Sequence, residues 1–160
     1  MAFTIEIDTS GIDEALGKLV PELDRHLSQA MQVASLEVTN EAKQRAPKDT
    51  SNLVTSIQPI PTQGTFSGGS LEGGVTATAP YAMHVEYGTG LWGPKRARIF
   101  PKKKKALADL TKWPPFGPVK SIRGMRPQPY MAPAWEAKRE RVIEIFRSAT
   151  RAAINRAGKG

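Results

Sequence analysis

Cysteine is absent from this chain of 160 residues, so a disulfide framework and a thiolate metal site are both excluded. A cysteine-free chain fits a protein that matures in a reducing cytoplasm. Histidine is scarce: His26 and His84 are the only two, and no cluster of His and carboxylates has the spacing of a metal site. The nucleophile elbow Gly-x-Ser-x-Gly is missing, as is a phosphate cradle ending in Gly-Lys-Ser or Gly-Lys-Thr. Neither catalysis nor a cofactor is expected. No apolar run approaches the roughly 20 residues that cross a bilayer. The first residues, Met1-Ala2-Phe3-Thr4-Ile5-Glu6, carry neither the basic patch nor the apolar core of a signal peptide. The expectation is a soluble protein with no membrane partner that stays where it is made. Hydrophobic residues make up only 39%, while 14 Gly and 13 Pro are many, which suits one sheet-and-helix domain over 1–160 with long loops.

Positive charge is abundant and unevenly placed. The net charge is +8, yet residues 95–126 hold eleven basic residues and one acid, Asp109. The segment is therefore +10 and the rest of the chain −2. Such asymmetry marks a surface for a polyanion or an acidic protein face.

Periodicity supplies the elements. Residues 3–8 alternate apolar and polar as a half-buried strand does. Asp13 is placed to cap a short first helix bearing Leu16, Leu19 and Val20, and Pro21 suits the first turn of a new one. From Glu22 to Arg45, the residues Leu23, Leu27, Ala30, Met31, Ala34, Val38 and Ala42 recur at helical steps, which predicts a long amphipathic helix with Leu27 and Met31 in the core. It ends at Ala46-Pro47, because the residue before proline avoids helical geometry. Asp49 or Thr50 is placed to cap the next turn. A strand over 56–62, confined to an edge by Pro59 and Pro61, leads through a flexible Gly- and Ser-rich loop at 64–74 to a returning strand at 74–78. A short helix over 81–87 follows, with Tyr81 and Tyr87 as its anchors to the sheet and Gly88 as its stop. Residues 90–128 form an insertion of low periodicity, an extended basic arm with one short helix near 103–110. A closing helix over 133–157 has Trp135, Val142, Ile143, Phe146, Ala149, Ala153 and Ile154 as its apolar face.

The fold class expected is α+β: a small, mainly antiparallel sheet packed against a long N-terminal helix and a C-terminal helix, with a long basic loop or arm. Within the arm, Lys102, Lys103, Lys104 and Lys105 form a stripe, and Trp92 and Trp113 lie among the cations together with Arg123 and Arg126. These eight are candidate contacts to a neighbouring subunit or partner. Their target stays open between DNA, an acidic protein face and plain solvent. Glu86 is open in the same way: a carboxylate fixing a turn through backbone amides or the Thr89 hydroxyl, or a partner for an arginine here or on another chain.

Three short motifs narrow the reading. Ala46-Pro47 with Asp49-Thr50, Leu53 and Ser56-Ile57 follows the long helix. Tyr81-Ala82-Met83-His84-Val85-Glu86-Tyr87-Gly88-Thr89 comes second, and Pro129-Tyr130-Met131-Ala132-Pro133-Ala134 opens the last helix. In order and spacing they resemble the motif set of the neck and tail-completion proteins of tailed bacteriophages, small head–tail joining components often called minor tail proteins. Ser51 stands where the family usually has glycine, and Tyr130 where it has phenylalanine. The resemblance implies architectural roles for Ala46, Pro47, Asp49, Thr50, Tyr81, Glu86, Gly88, Thr89, Pro129, Tyr130 and Pro133. It implies a structural virion protein, assembled in the host cytoplasm into a homo-oligomeric ring of sixfold or twelvefold symmetry. The ring would sit between an adaptor or head-closure protein and a tail-terminator or tail-tube protein, with non-specific contact to channel DNA possible. The rival class is a basic nucleic-acid-binding module with no virion role, which would bind duplex DNA with steep salt dependence.

Overall fold

The computed structural model describes residues 10–48, 51–102, 107–109 and 116–158. The elements run α1 (Ser10–Arg45), α2 (Ser51–Ser56), β1 (Ile57–Thr65), β2 (Ser70–Ala77), α3 (Ala82–Tyr87), a 3-10 turn (Gly90–Trp92), β3 (Leu107–Asp109), β4 (Phe116–Val119) and α4 (Met131–Ala157). The class is α+β, with a long N-terminal helix, an antiparallel two-stranded sheet and a C-terminal helix. A second antiparallel ladder joins β3 to β4. The strand expected at 3–8 lies outside the described residues, as do Asp49 and Thr50.

The chain divides into two compact units. The first comprises α1 up to Glu41, the hairpin segment Gln58–Thr76 and the chain from Glu136 onward. Here α1 is one helix through Pro21, not two helices meeting there. Proline removes one backbone bond and crowds the carbonyl four residues back, at a cost of about 3 kcal/mol. That residue is Gly17, around which a β-carbon would meet nothing, so the turn has room to adjust. Ala30, Ala34, Ser35, Val38 and Thr39 form the buried line of α1, while Leu27 and Met31 are only half-buried. Small residues thus occupy the tightest positions and the larger ones flank them.

α4 runs antiparallel to α1 in this unit. Lys138 reaches Glu37 (3.2 Å) and Glu41 (3.7 Å), and Arg156 reaches Glu22 (3.8 Å). Such half-exposed pairs contribute little energy but report the direction. The apolar face expected for α4 is wider than its neighbour can cover. Ala153 is fully buried and Val142, Phe146 and Ala149 half-buried, but Ile143 and Ile154 are 41% and 52% exposed.

The hairpin loop is shorter than the glycine count suggests. Residues 66–69 form the turn, closed by Gly69 N–H donating to Phe66 O at 3.1 Å, and β2 already begins at Ser70. Gly73 lies inside β2 because Met31 packs where its β-carbon would be; a strand glycine marks a close approach here, not a break. Pro59 and Pro61 fall two apart in β1, which places both missing N–H groups along one edge of the strand.

The turn is tied to α1. Ser67 donates its backbone N–H (2.9 Å) and its hydroxyl to the Asp24 carboxylate. The Ser67 hydroxyl, then its N–H, hold Asp24 below its ordinary value of 3.8. A depressed carboxylate contributes stability that is complete above its unfolded value and lost as pH falls through the folded one. Amide exchange at Ser67 is therefore expected to speed up as pH drops below 3.8, beyond the intrinsic trend, and Asp24→Asn should abolish that excess. Equal excess in both proteins would show that this contact does not hold the turn.

The second unit comprises Ala42–Ile57 and Ala77–Trp135. Its core is Ala42, Ala46, Leu53, Ile57, Ala82, Val85, Tyr130 and Ala134. Most of these belong to the three sequence motifs, so the motifs meet in one core. Thr78 N–H donates to Ser56 O (3.2 Å), and the Ser56 hydroxyl to Leu53 O (2.7 Å). Tyr81 is half-buried, but Tyr87 is 59% exposed and anchors nothing inside this unit. Ala82, Val85 and Glu86 form the inner face of α3 instead.

Candidate functional site

An α-helix begins with backbone N–H groups that have no partner within the helix. At the start of α4 all of them are accounted for. Glu86, 8% exposed on α3, accepts the N–H of Tyr130 (2.8 Å) and Met131 (3.0 Å) on one oxygen and that of Ala132 (3.0 Å) on the other. Pro133 has no N–H to satisfy, and Ala134 N–H closes the first turn on Tyr130 O at 3.2 Å. α4 has no acid in its own first turn, so Glu86 also supplies the negative charge favoured at a helix N-terminus. The Tyr130 ring is buried, and its phenol is pushed up by burial and by the nearby Glu86 charge. Pro129 is exposed and Pro133 half-buried. Pro47 is half-buried next to Ala46, whose N–H donates to Ala42 O at 2.9 Å.

Beyond α3 two chain segments cross closely. Thr89 N–H donates to Met125 O (2.9 Å), Leu91 N–H to Arg123 O (2.8 Å) and Gln128 N–H to Val85 O (2.8 Å). The Thr89 hydroxyl accepts Met125 N–H at 2.9 Å, not a bond to Glu86. Gly88, Gly90 and Gly124 all have positive φ, and a β-carbon on any of them would strike backbone of the opposite segment.

The two legs of the basic segment pair again further out. Ile99 and Ile122 exchange both backbone hydrogen bonds at 3.0 Å, and β3 pairs with β4 at Leu107–Val119 and Asp109–Phe116. The short helix expected near 103–110 is a correction: β3 occupies 107–109. A cross-strand partner in β4 decides the conformation, which local sequence does not reveal.

A cleft of about 470 Å³ opens along the first of these legs, lined by residues between His84 and Lys102. His84, Lys95, Arg98 and Lys102 line it, with Gly88, Gly90 and Gly93 in its wall and no acid among its lining residues. Ser121 fixes Arg98, its hydroxyl accepting Nε–H at 2.8 Å. Of the candidate contact residues, Lys102 is in the cleft, and Trp92 and Arg126 meet each other, the guanidinium 5.5 Å from the indole centroid. Arg123 is exposed and gives its carbonyl to the crossing. Lys103, Lys104, Lys105 and Trp113 lie outside the described residues. Sequence reasoning counted Lys95 and Arg98 in the charge total without singling them out. No local signal pointed to their sharing a cavity with His84, because a charge count does not show how this leg folds back on itself.

A second concavity of about 470 Å³ lies along α4, lined by Val142, Ile143, Phe146, Arg147, Thr150 and Arg151. Among the described residues no group of three or more His, Asp or Glu is placed to hold a metal ion, and no helix is long and apolar enough to cross a membrane.

Residues 10–88 match the family described as "Bacteriophage HK97-gp10, putative tail-component", so this stretch is similar to a phage tail-component family. The match covers α1 to α3 and ends at Gly88, short of the basic segment and α4. No curated protein and no solved structure matches the chain.

Proposed function

We propose that this protein is a neck or tail-completion component that assembles as a ring at the head–tail junction of a tailed phage. It would join an adaptor or head-closure protein to a tail-terminator or tail-tube protein. The observation that carries the reading, beyond the family, is the groove along α4 lined by Val142, Ile143 and Phe146, with Ile143 exposed in it and Ile154 exposed further along the helix. Exposed apolar side chains on a protein with so few to spare mark an interaction surface, and in a ring the adjacent subunit covers it. The architectural set centred on Glu86, Gly88 and Tyr130 serves to build the subunit, not to contact partners.

The test is joining of purified heads and tails, counted by electron microscopy, with wild type and with Ile143→Lys/Ile154→Lys. Both positions are exposed, so the variant should melt within about 4 °C of wild type, each surface change being worth within about 0.5 kcal/mol. Joining is expected to fall at least tenfold. Normal joining by the folded variant would remove the α4 groove from the assembly.

A further inference from the structure

We propose that the cleft lined by His84, Lys95, Arg98 and Lys102 binds the phosphodiester backbone of duplex DNA without regard to sequence. The cleft gathers three permanent or near-permanent cations around one cavity. The nearest acid along the chain, Glu86, lies two residues from His84 but is committed to three amide donors at the start of α4. Ser121 holds the Arg98 guanidinium, so part of the ordering cost is met before binding.

The choice of DNA over an acidic protein rests on uniformity. Protein interfaces mix signs and are fixed by aromatic or apolar anchors at their centre. The cleft has no Phe, Tyr or Trp among its lining residues, and the segment around it carries eleven cations against one acid. A surface of one sign suits a partner of uniform opposite charge, which a phosphate backbone presents at every step. Base readout needs a helix or ribbon that fits a groove. The described parts of this segment offer only strands of three and four residues, so phosphates and not base edges are what the cleft engages.

The inference does not depend on the ring: DNA binding and head–tail joining are read in separate assays, and either can fail alone. The experiment is fluorescence anisotropy of a labelled duplex titrated with full-length protein over a range of salt. Wild type should bind two unrelated duplexes equally, with a dissociation constant on the order of 10⁻⁵ M near physiological salt. Each phosphate contact contributes about 0.9 to the slope of log K against log salt. Lys95→Ser/Arg98→Ser/Lys102→Ser should therefore flatten the slope by about 3. Lys95→Ser/Lys102→Ser, which keeps the Arg98–Ser121 bond, should flatten it by about 2 and serves if the triple variant is unstable. Lys18→Ser/Lys43→Ser/Arg139→Ser removes equal charge from α1 and α4 and should leave the slope unchanged. An unaltered slope in the cleft variants, or an equal loss in the α1 and α4 control, would overturn the site. So would displacement of DNA by polyglutamate as readily as by unlabelled duplex, which would make carboxylates the true ligand.

Discussion

Glu86→Ala is expected to lower the melting temperature by on the order of 10 °C. The substitution leaves three backbone N–H groups, of Tyr130, Met131 and Ala132, without the carboxylate they donate to. Tyr130 is 2% exposed, so water cannot readily replace the lost acceptor there. A buried donor left unpaired costs about 1–3 kcal/mol. The other two are half-shielded, and the favourable charge at the helix start is lost as well, worth about 0.3–1 kcal/mol. A total near 4 kcal/mol in a chain of this size corresponds to the stated shift, at roughly 2–4 °C per kcal/mol. Glu86→Gln separates charge from geometry. Its one oxygen can still accept from Tyr130 and Met131, while its amide nitrogen would turn donors toward the Ala132 N–H. About half the loss is therefore expected. Calorimetry on the three proteins decides the matter: a loss under 2 °C for Glu86→Ala would show that α4 does not need this cap.

Local pattern carried much of the fold into view and long-range pairing carried the rest out of it. α1 was legible because small and apolar residues recur at helical steps up to Ala42, and Ala46-Pro47 stops it. The extension of α1 through Pro21 was not, since the proline signal is strong and the room around Gly17 is a tertiary fact. Gly73 read as loop for a related reason: only the position of Met31 explains a glycine there. β3 was hidden because a three-residue strand is defined by its partner, which lies in Phe116–Val119. Glu86 stood out as an acid amid a motif, and amide capture was among its readings. That its donors sit 44 to 46 residues away could not be read from spacing. The cleft cations were equally out of reach, because nothing in the spacing of His84 and Lys102 shows that they line one cavity. Exposed Ile143 and Ile154 expose the limit of amphipathic patterning: a wide apolar stripe does not say how much of it one subunit covers.

The crossing of the two legs is expected to be as sensitive as the cap, and Gly124→Ala tests it. Gly124 has φ +90, a conformation that a side chain disfavours by about 1–2 kcal/mol. A β-carbon there would also lie inside contact distance of the Thr89 carbonyl, with Gly90 Cα only 2.8 Å away. Those are backbone atoms, and moving them separates Thr89 from Met125 and Leu91 from Arg123. The bonds at stake are Thr89 N–H to Met125 O, Leu91 N–H to Arg123 O and Met125 N–H to the Thr89 hydroxyl. At about 0.5–1.5 kcal/mol each, their weakening adds to the strain for a total above about 3 kcal/mol. Gly69→Ala is the matched control. Gly69 has nearly the same φ, +86, in the hairpin turn, but a β-carbon on it meets nothing within 4 Å. It should cost only the conformational part, about 1–2 kcal/mol. Urea unfolding gives both values, and limited trypsin digestion adds a local readout, because Arg123 and Arg126 flank the crossing. Cleavage at these two arginines should accelerate in Gly124→Ala and stay at the wild-type rate in Gly69→Ala. Equal destabilisation by the two substitutions, with no change in cleavage, would mean that the legs are not held together at Thr89 and Met125.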